Sequence, residues 1–126
     1  MIYADHNATT PLDPRVRAVM ERALAELWGN PSSVHALGRR ARHAIETARK
    51  QVAALVGADE EELVFTSGGT EGNHLAIRGL ALAAKGRRHV LVSPLEHPSV
   101  HGACAELARE GFEIERLSVN AQGRLD

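Results

Sequence analysis

The chain has 126 residues with a formal net charge of −1, so no bulk charge draws it to nucleic acid or to an anionic membrane. Aromatic residues are 3% of it, too few for a base-stacking surface, and its single cysteine, Cys104, excludes an intrachain disulfide. No apolar run approaches the ~20 residues that span a bilayer, and Met1-Ile2-Tyr3-Ala4-Asp5 lacks the basic start of a signal peptide. A cytoplasmic protein of one domain's length or less, with a modest core, is the expectation.

Asp13-Pro14 is an N-cap followed by proline at the first helical position. Val16, Val19, Met20, Ala23, Leu24 and Leu27 recur at helical spacing and predict a helix over 14–27, stopped by Trp28-Gly29-Asn30-Pro31. Ser32 or Ser33 is the candidate cap of a longer helix with the stripe Leu37, Ala41, Ala44, Ile45, Ala48, Val52, Leu55 and Val56, closed by Gly57. Arg39, Arg42, Arg49 and Lys50 on this helix read as a solvated face.

From Leu63 the pattern alternates. A strand is expected over 63–66, a helix over 71–84, a strand over 89–93, a helix over 98–110 closed by Gly111, and a strand over 113–119. Asn120-Ala121-Gln122-Gly123 is a turn, and Leu125-Asp126 reads as the approach to another helix. Strand–helix alternation with short connections means βαβ units, hence an α/β fold with a mostly parallel sheet flanked by helices. Three strands leave sheet edges open, so the piece is expected to be completed by further polypeptide.

Between the first of these strands and its helix lies Thr66-Ser67-Gly68-Gly69-Thr70-Glu71. Glycines let backbone N–H groups approach an anion closely, and the helix start adds unsatisfied donors and partial positive charge. Ser67 and Thr70 add hydroxyls. The pattern fits neither G-x-x-x-x-G-K nor G-x-G-x-x-G. It makes a phosphate cradle, or simply a turn.

Four separated segments carry a family resemblance: Asp5-His6-Asn7-Ala8-Thr9-Thr10-Pro11-Leu12-Asp13-Pro14, Gly29-Asn30-Pro31-Ser32-Ser33-Val34-His35, the glycine turn, and Glu96-His97-Pro98-Ser99-Val100. In this order and spacing they resemble the N-terminal part of cysteine desulfurases, pyridoxal-phosphate (PLP) enzymes of the class V aminotransferase group. The resemblance implies the N-terminal part of a PLP-dependent transferase large domain. It places 1–13 as an arm lining the active-site cleft and 14–126 in the PLP-binding domain. It further implies that Gly69 and Thr70 bind the cofactor phosphate, that Asn73 belongs to the cofactor site, and that His97 stacks on the PLP ring and can assist proton transfers. The segment at Gly29 is implied to lie at the active-site entrance, near a dimer partner. His6 and His74 stand where the family pattern has Asn.

For the completed enzyme the resemblance implies conversion of L-cysteine to alanine with transfer of sulfur to an enzyme thiol. The sulfur passes to an acceptor or scaffold protein, for iron–sulfur clusters or thiolated nucleotides, and the completed enzyme is a homodimer. Lys50 and Lys85, the only lysines, both read as surface residues. The Schiff-base lysine, the aspartate partner of the pyridine nitrogen, the substrate-binding arginine and the persulfide-forming cysteine are therefore expected on later polypeptide. Cys104 reads as a core thiol on the face of Val100, Ala103 and Leu107. Three rival readings stand beside this one. The protein is another class V enzyme such as a selenocysteine lyase, or a non-catalytic module that binds a phosphorylated ligand or partner, or His97 is only a helix cap. His97 and His101, spaced i, i+4 beside Glu96, also raise zinc, but Pro98 puts His97 outside the helix and no third ligand is evident, so no metal is expected.

Overall fold

Capping chemistry decides where the helices begin. The computed structural model describes residues 2–125, and the chain divides into two compact units, Met1–Val64 and Phe65–Asp126.

In the first unit, Tyr3 and His6 pack edge to face, 4.9 Å between ring centroids, and the Tyr3 hydroxyl meets Thr9 Oγ1. Ala8 N–H and Thr9 N–H both donate to Asp5 O, closing a turn. Helix α1, Pro14–Glu26, starts as its sequence predicts: Asp13 accepts from Arg15 N–H at 2.8 Å, and Pro14 fills the first position. Helix α2, Ala36–Val56, is capped by His35 rather than by Ser32 or Ser33; its ring accepts from Gly38 N–H. Ser33 N–H is turned back to Asn30 O, so the loop extends two residues further before the helix begins.

That loop lies directly on the first turn of α2. A Cβ on Gly38 would come within 2.3 Å of Ser33 O and 2.6 Å of Asn30 O, so only glycine permits the approach. The guanidinium groups on this helix hold the same loop. Arg42 Nε donates to Pro31 O at 2.8 Å and Arg39 to Val34 O. Two arginines expected on a solvated face thus also satisfy carbonyls of an irregular segment. Gly57 ends α2 in the left-handed conformation (φ 69°), as expected, and Arg49 donates to Leu63 O beyond a 3-10 turn at Glu60–Glu62.

The second unit contains helix α3 (Gly69–Ala83), strand β1 (His89–Val92), helix α4 (Pro98–Arg109) and strand β2 (Glu113–Arg116). The two strands pair in parallel, His89 opposite Glu113 and Val92 opposite Arg116, with α4 as the crossover. The core lies between α4 and the strands, where Val92, Ala103, Cys104, Leu107 and Phe112 are buried. Gly111, at φ 87°, turns the chain from α4 into β2. Arg88 lies 4.4 Å from the Phe112 ring centroid and donates to Glu110 O and, at 3.3 Å, to Gly111 O.

The segment 63–66 departs from its expected strand. Leu63 has extended dihedrals (φ −96°, ψ 131°), but no ladder forms, and Val64 and Phe65 are exposed. An apolar β-prone run becomes a strand only where a neighbouring strand pairs with it, and none of the described strands does so; Leu63 O is taken by Arg49 instead. After β2, Asn120 Oδ1 accepts from Gln122 and Arg124 N–H, each at 3.0 Å, which makes the expected turn. Leu125 pairs with Val119 in an isolated antiparallel bridge instead of approaching a helix, and Asp126 lies outside the described residues.

Candidate functional site

The glycine turn opens directly into α3. Gly68 precedes the helix, no side chain caps it, and Gly69 and Thr70 are its first two residues. Gly72 N–H bonds to Gly68 O at 3.0 Å, whereas none of the described residues accepts from the N–H groups of Gly69 or Thr70. A Cβ built on Gly68 or Gly69 meets nothing within 4 Å, and both residues are exposed together with Thr70. The result is an uncovered N-terminus with two adjacent backbone donors and one hydroxyl on it. That donor set fits a phosphate: several N–H groups, the positive end of the helix dipole, and no side chain filling the approach.

Ser67 is placed differently from the sequence expectation. Its N–H donates to Glu71 Oε2 at 2.6 Å. Together with a hydrogen bond from the Ser67 side chain, this holds the Glu71 carboxyl below the usual carboxylate range. Ser67 therefore closes the turn onto Glu71, and Thr70 is the hydroxyl left free for a ligand.

His97 lies past the carboxyl end of β1, after a turn in which Glu96 N–H reaches Ser93 O. It is the N-cap of α4, and Pro98 is the first helical residue, as expected. The ring's Nδ1 accepts from Ser99 N–H at 3.2 Å and lies 2.8 Å from Ser99 Oγ. Ser99 is buried at 8% exposure and also receives Asn73 Nδ2 at 2.8 Å. Asn73 stands one turn into α3, four residues after Gly69. A continuous path of hydrogen bonds therefore joins the helix that carries the cradle to the histidine. Asn73 and His97 stand out in the sequence; the role of Ser99, which links them, does not. The residue itself has a visible signal: a serine two residues after a candidate N-cap, on the inward stripe of α4 with Ala103 and Leu107.

His74 packs beside this path. Its Nδ1 is 3.7 Å from Glu106 Oε2, and its Nε2 is 3.5 Å from where a Gly102 Cβ would stand. Glu106 is held in turn by Arg78 at 3.0 Å, and Arg78 reaches Glu110 at 2.6 Å. The histidine that replaces asparagine is thus part of the α3–α4 packing. Cys104 is buried, and loss of hydration pushes its thiol pKa up, which suits a packing residue and not a nucleophile. Lys50 is exposed, 4.0 Å from Glu60, and Lys85 is exposed at the end of α3. Among the described residues no cluster of three or more His, Cys, Asp or Glu side chains could hold a metal ion. No described helix is long and apolar enough to cross a membrane.

Fold and site together define an α/β protein with an anion-receptive helix terminus beside an ordered histidine. The class V aminotransferase family model matches residues 2–126, and the chain belongs to that family. It is 48% identical over 126 residues to a cysteine desulfurase of Trichormus azollae, covering 100% of this chain and 32% of that one. The chain therefore spans about a third of the length of such relatives. Among solved structures it is similar to a NifS-like protein, with a TM-score of 0.86 and 33% identity over 97% of this chain and 34% of the other. It is similar also to SspA in complex with cysteine, with a TM-score of 0.83 and 36% identity over 94% of this chain and 35% of the other.

Proposed function

We propose that this chain is the N-terminal part of a PLP-dependent cysteine desulfurase, which converts L-cysteine to L-alanine and transfers the sulfur to an enzyme thiol. The family is one of PLP enzymes, and when bound PLP supplies an electron sink for negative charge at the substrate Cα. The observation that carries the reading is the pairing of the open α3 terminus with His97 through Asn73 and Ser99. In this reading Gly69 and Thr70 hold the phosphate by backbone N–H and hydroxyl. His97 packs its ring on the cofactor, and Asn73 belongs to the same cofactor site, supporting His97 from α3. Residues 1–13 form an arm lining the active-site cleft, and 14–126 belong to the PLP-binding domain.

The substrate follows from similarity to enzymes named for cysteine and to a structure holding it. Both lysines of the chain are exposed, and its one thiol is buried. The reading therefore requires the Schiff-base lysine and the persulfide-forming cysteine from further polypeptide. Leu24, Val34, Leu55 and Leu80 are more than 70% exposed, apolar area that further chain or a second copy would cover. We further propose that the completed enzyme is a cytoplasmic homodimer that hands sulfur to an acceptor or scaffold protein.

The test is reconstitution. The 126 residues alone are expected to retain little PLP and to release no sulfide from cysteine. Joined to the region that relatives carry beyond the matched third, they are expected to take up the visible absorbance of bound PLP and to form alanine. PLP uptake with turnover of selenocysteine and none of cysteine would move the protein to the lyases of the same family. A phosphate site that never takes up PLP would make it a non-catalytic module.

A further inference from the structure

We infer that Ser99, held by Asn73, is a positioning residue that fixes His97 as the Nε2-protonated tautomer, so that the ring meets its ligands as a hydrogen-bond donor at Nε2. The inference rests on the desulfurase reading for its consequence, while the tautomer itself rests on hydrogen-bond geometry. A backbone N–H can only donate, and that of Ser99 points at His97 Nδ1 from 3.2 Å. Nδ1 must then carry a lone pair, and the neutral ring has its proton on Nε2. The side chains agree. Asn73 Nδ2 donates to Ser99 Oγ at 2.8 Å, which leaves the serine hydrogen for Nδ1, also at 2.8 Å. All three bonds point toward the ring, one of them starting on α3 and two on Ser99. An Nδ1-protonated ring would set its N–H against the Ser99 N–H, two donors face to face. Turning the Asn73 amide over would redirect the serine hydrogen but not the backbone N–H, so the tautomer survives that choice.

Burial makes the arrangement effective. Ser99 is 8% exposed, so water competes poorly for its hydroxyl, whereas His97 is exposed and none of the described residues meets its Nε2. The nitrogen that faces ligands therefore arrives protonated, able to donate a hydrogen bond or hold a proton but not to accept one. Removal of the substrate Cα proton then falls to another base, and the contribution of His97 is ring packing and donation at Nε2.

The experiment uses the complete PLP-loaded enzyme with 15N-labelled histidine. Long-range 1H–15N spectra, with the His97 signals assigned by their loss in His97→Asn, are expected to show an Nε2–H ring. Ser99→Ala keeps the backbone bond but cuts the relay from Asn73. The remaining 3.2 Å backbone bond still favours a lone pair on Nδ1, so the variant is expected to keep Nε2–H as the major form with a larger Nδ1–H share, and to lower kcat about five-fold, the worth of one neutral hydrogen bond, with KM for cysteine unchanged. Asn73→Ala should do the same to a smaller extent, and Ser99→Thr, which restores the hydroxyl, should return both readouts. An Nδ1–H ring in the unaltered enzyme overturns the inference. So does a Ser99→Ala enzyme with unaltered spectrum and kcat. An enzyme that shows the Nε2–H ring but turns over no cysteine keeps the positioning role and removes the desulfurase reading instead.

Discussion

Helices α3 and α4 lie side by side in the second unit and begin in opposite ways. Helix α3 starts behind Gly68 with no side-chain cap, and its first N–H groups face open space. Helix α4 starts behind His97, whose ring takes the Ser99 N–H, and Pro98 removes another donor by having none. The same four-donor problem at a helix start is met once by leaving the donors uncovered and once by giving one of them to a side chain. The open end can bind an anion; the closed end orders a ring. Asn73 and Ser99 join them, so the order imposed at one end reaches the other.

The largest effect should come from removing what both ends stand on. Leu107 is fully buried on the inner face of α4, and Leu107→Ala leaves a cavity worth about 2–5 kcal/mol. Urea unfolding should show that loss, and PLP retention should fall with it because α4 no longer holds Ser99 against Asn73. A cost below about 1 kcal/mol would mean that this core does not position the site.

Next in size is the open end. Thr70→Val removes a hydroxyl donor to a charged acceptor, about 1.5–3 kcal/mol, so PLP should dissociate at least ten-fold more readily on dialysis. Thermal stability should hold, since none of the described residues bonds to that hydroxyl. Equal PLP retention by the variant and the parent would remove Thr70 from the cradle.

The closed end separates two roles that one residue combines. His97→Ala loses both cap and ring and should cost roughly 1 kcal/mol of stability as well as turnover. Asn is a good cap without the imidazole, so His97→Asn should recover the stability and not the turnover, with the cofactor absorption still shifted. Full activity in His97→Asn would reduce the histidine to a cap.

The two ends differ also in how legible they were. The open one follows from local chemistry, since adjacent glycines before a helical run leave backbone donors without a side chain over them. The phosphate of PLP as its ligand comes from the resemblance and remains our proposal. His97 as the residue before Pro98 was equally plain, and so were the ends of α1 and α2 at Pro14 and Gly57. Ser99 shows in the sequence as an inward serine two residues after the cap, but its link to Asn73, 26 residues away, does not, because pair geometry between helices is invisible to periodicity. The same limit explains 63–66, whose β-prone side chains cannot state whether a neighbouring strand is present. His35 displaced the expected serine caps because the loop onto Gly38 consumes Ser33 first.

The smallest effect is expected within the open end itself. Glu71 sits in the first turn of α3 and takes Ser67 N–H at 2.6 Å, so its carboxyl is held below its ordinary pKa. A carboxyl depressed in the folded state adds stability that is present above its unfolded pKa and lost as pH falls through the folded one. Glu71→Gln should therefore lower the melting temperature slightly at neutral pH. The gap from the parent should narrow below the usual carboxylate pKa of about 4.3 and close in more acid solution. The residue is exposed, so the gap should also shrink with added salt. A gap that stays constant from neutral to strongly acid pH would show that Glu71 acts through the shape of the turn rather than through its charge. In that case Ser67 closes the turn by geometry alone, and the positive end of α3 faces its ligand with no carboxylate influence beside it.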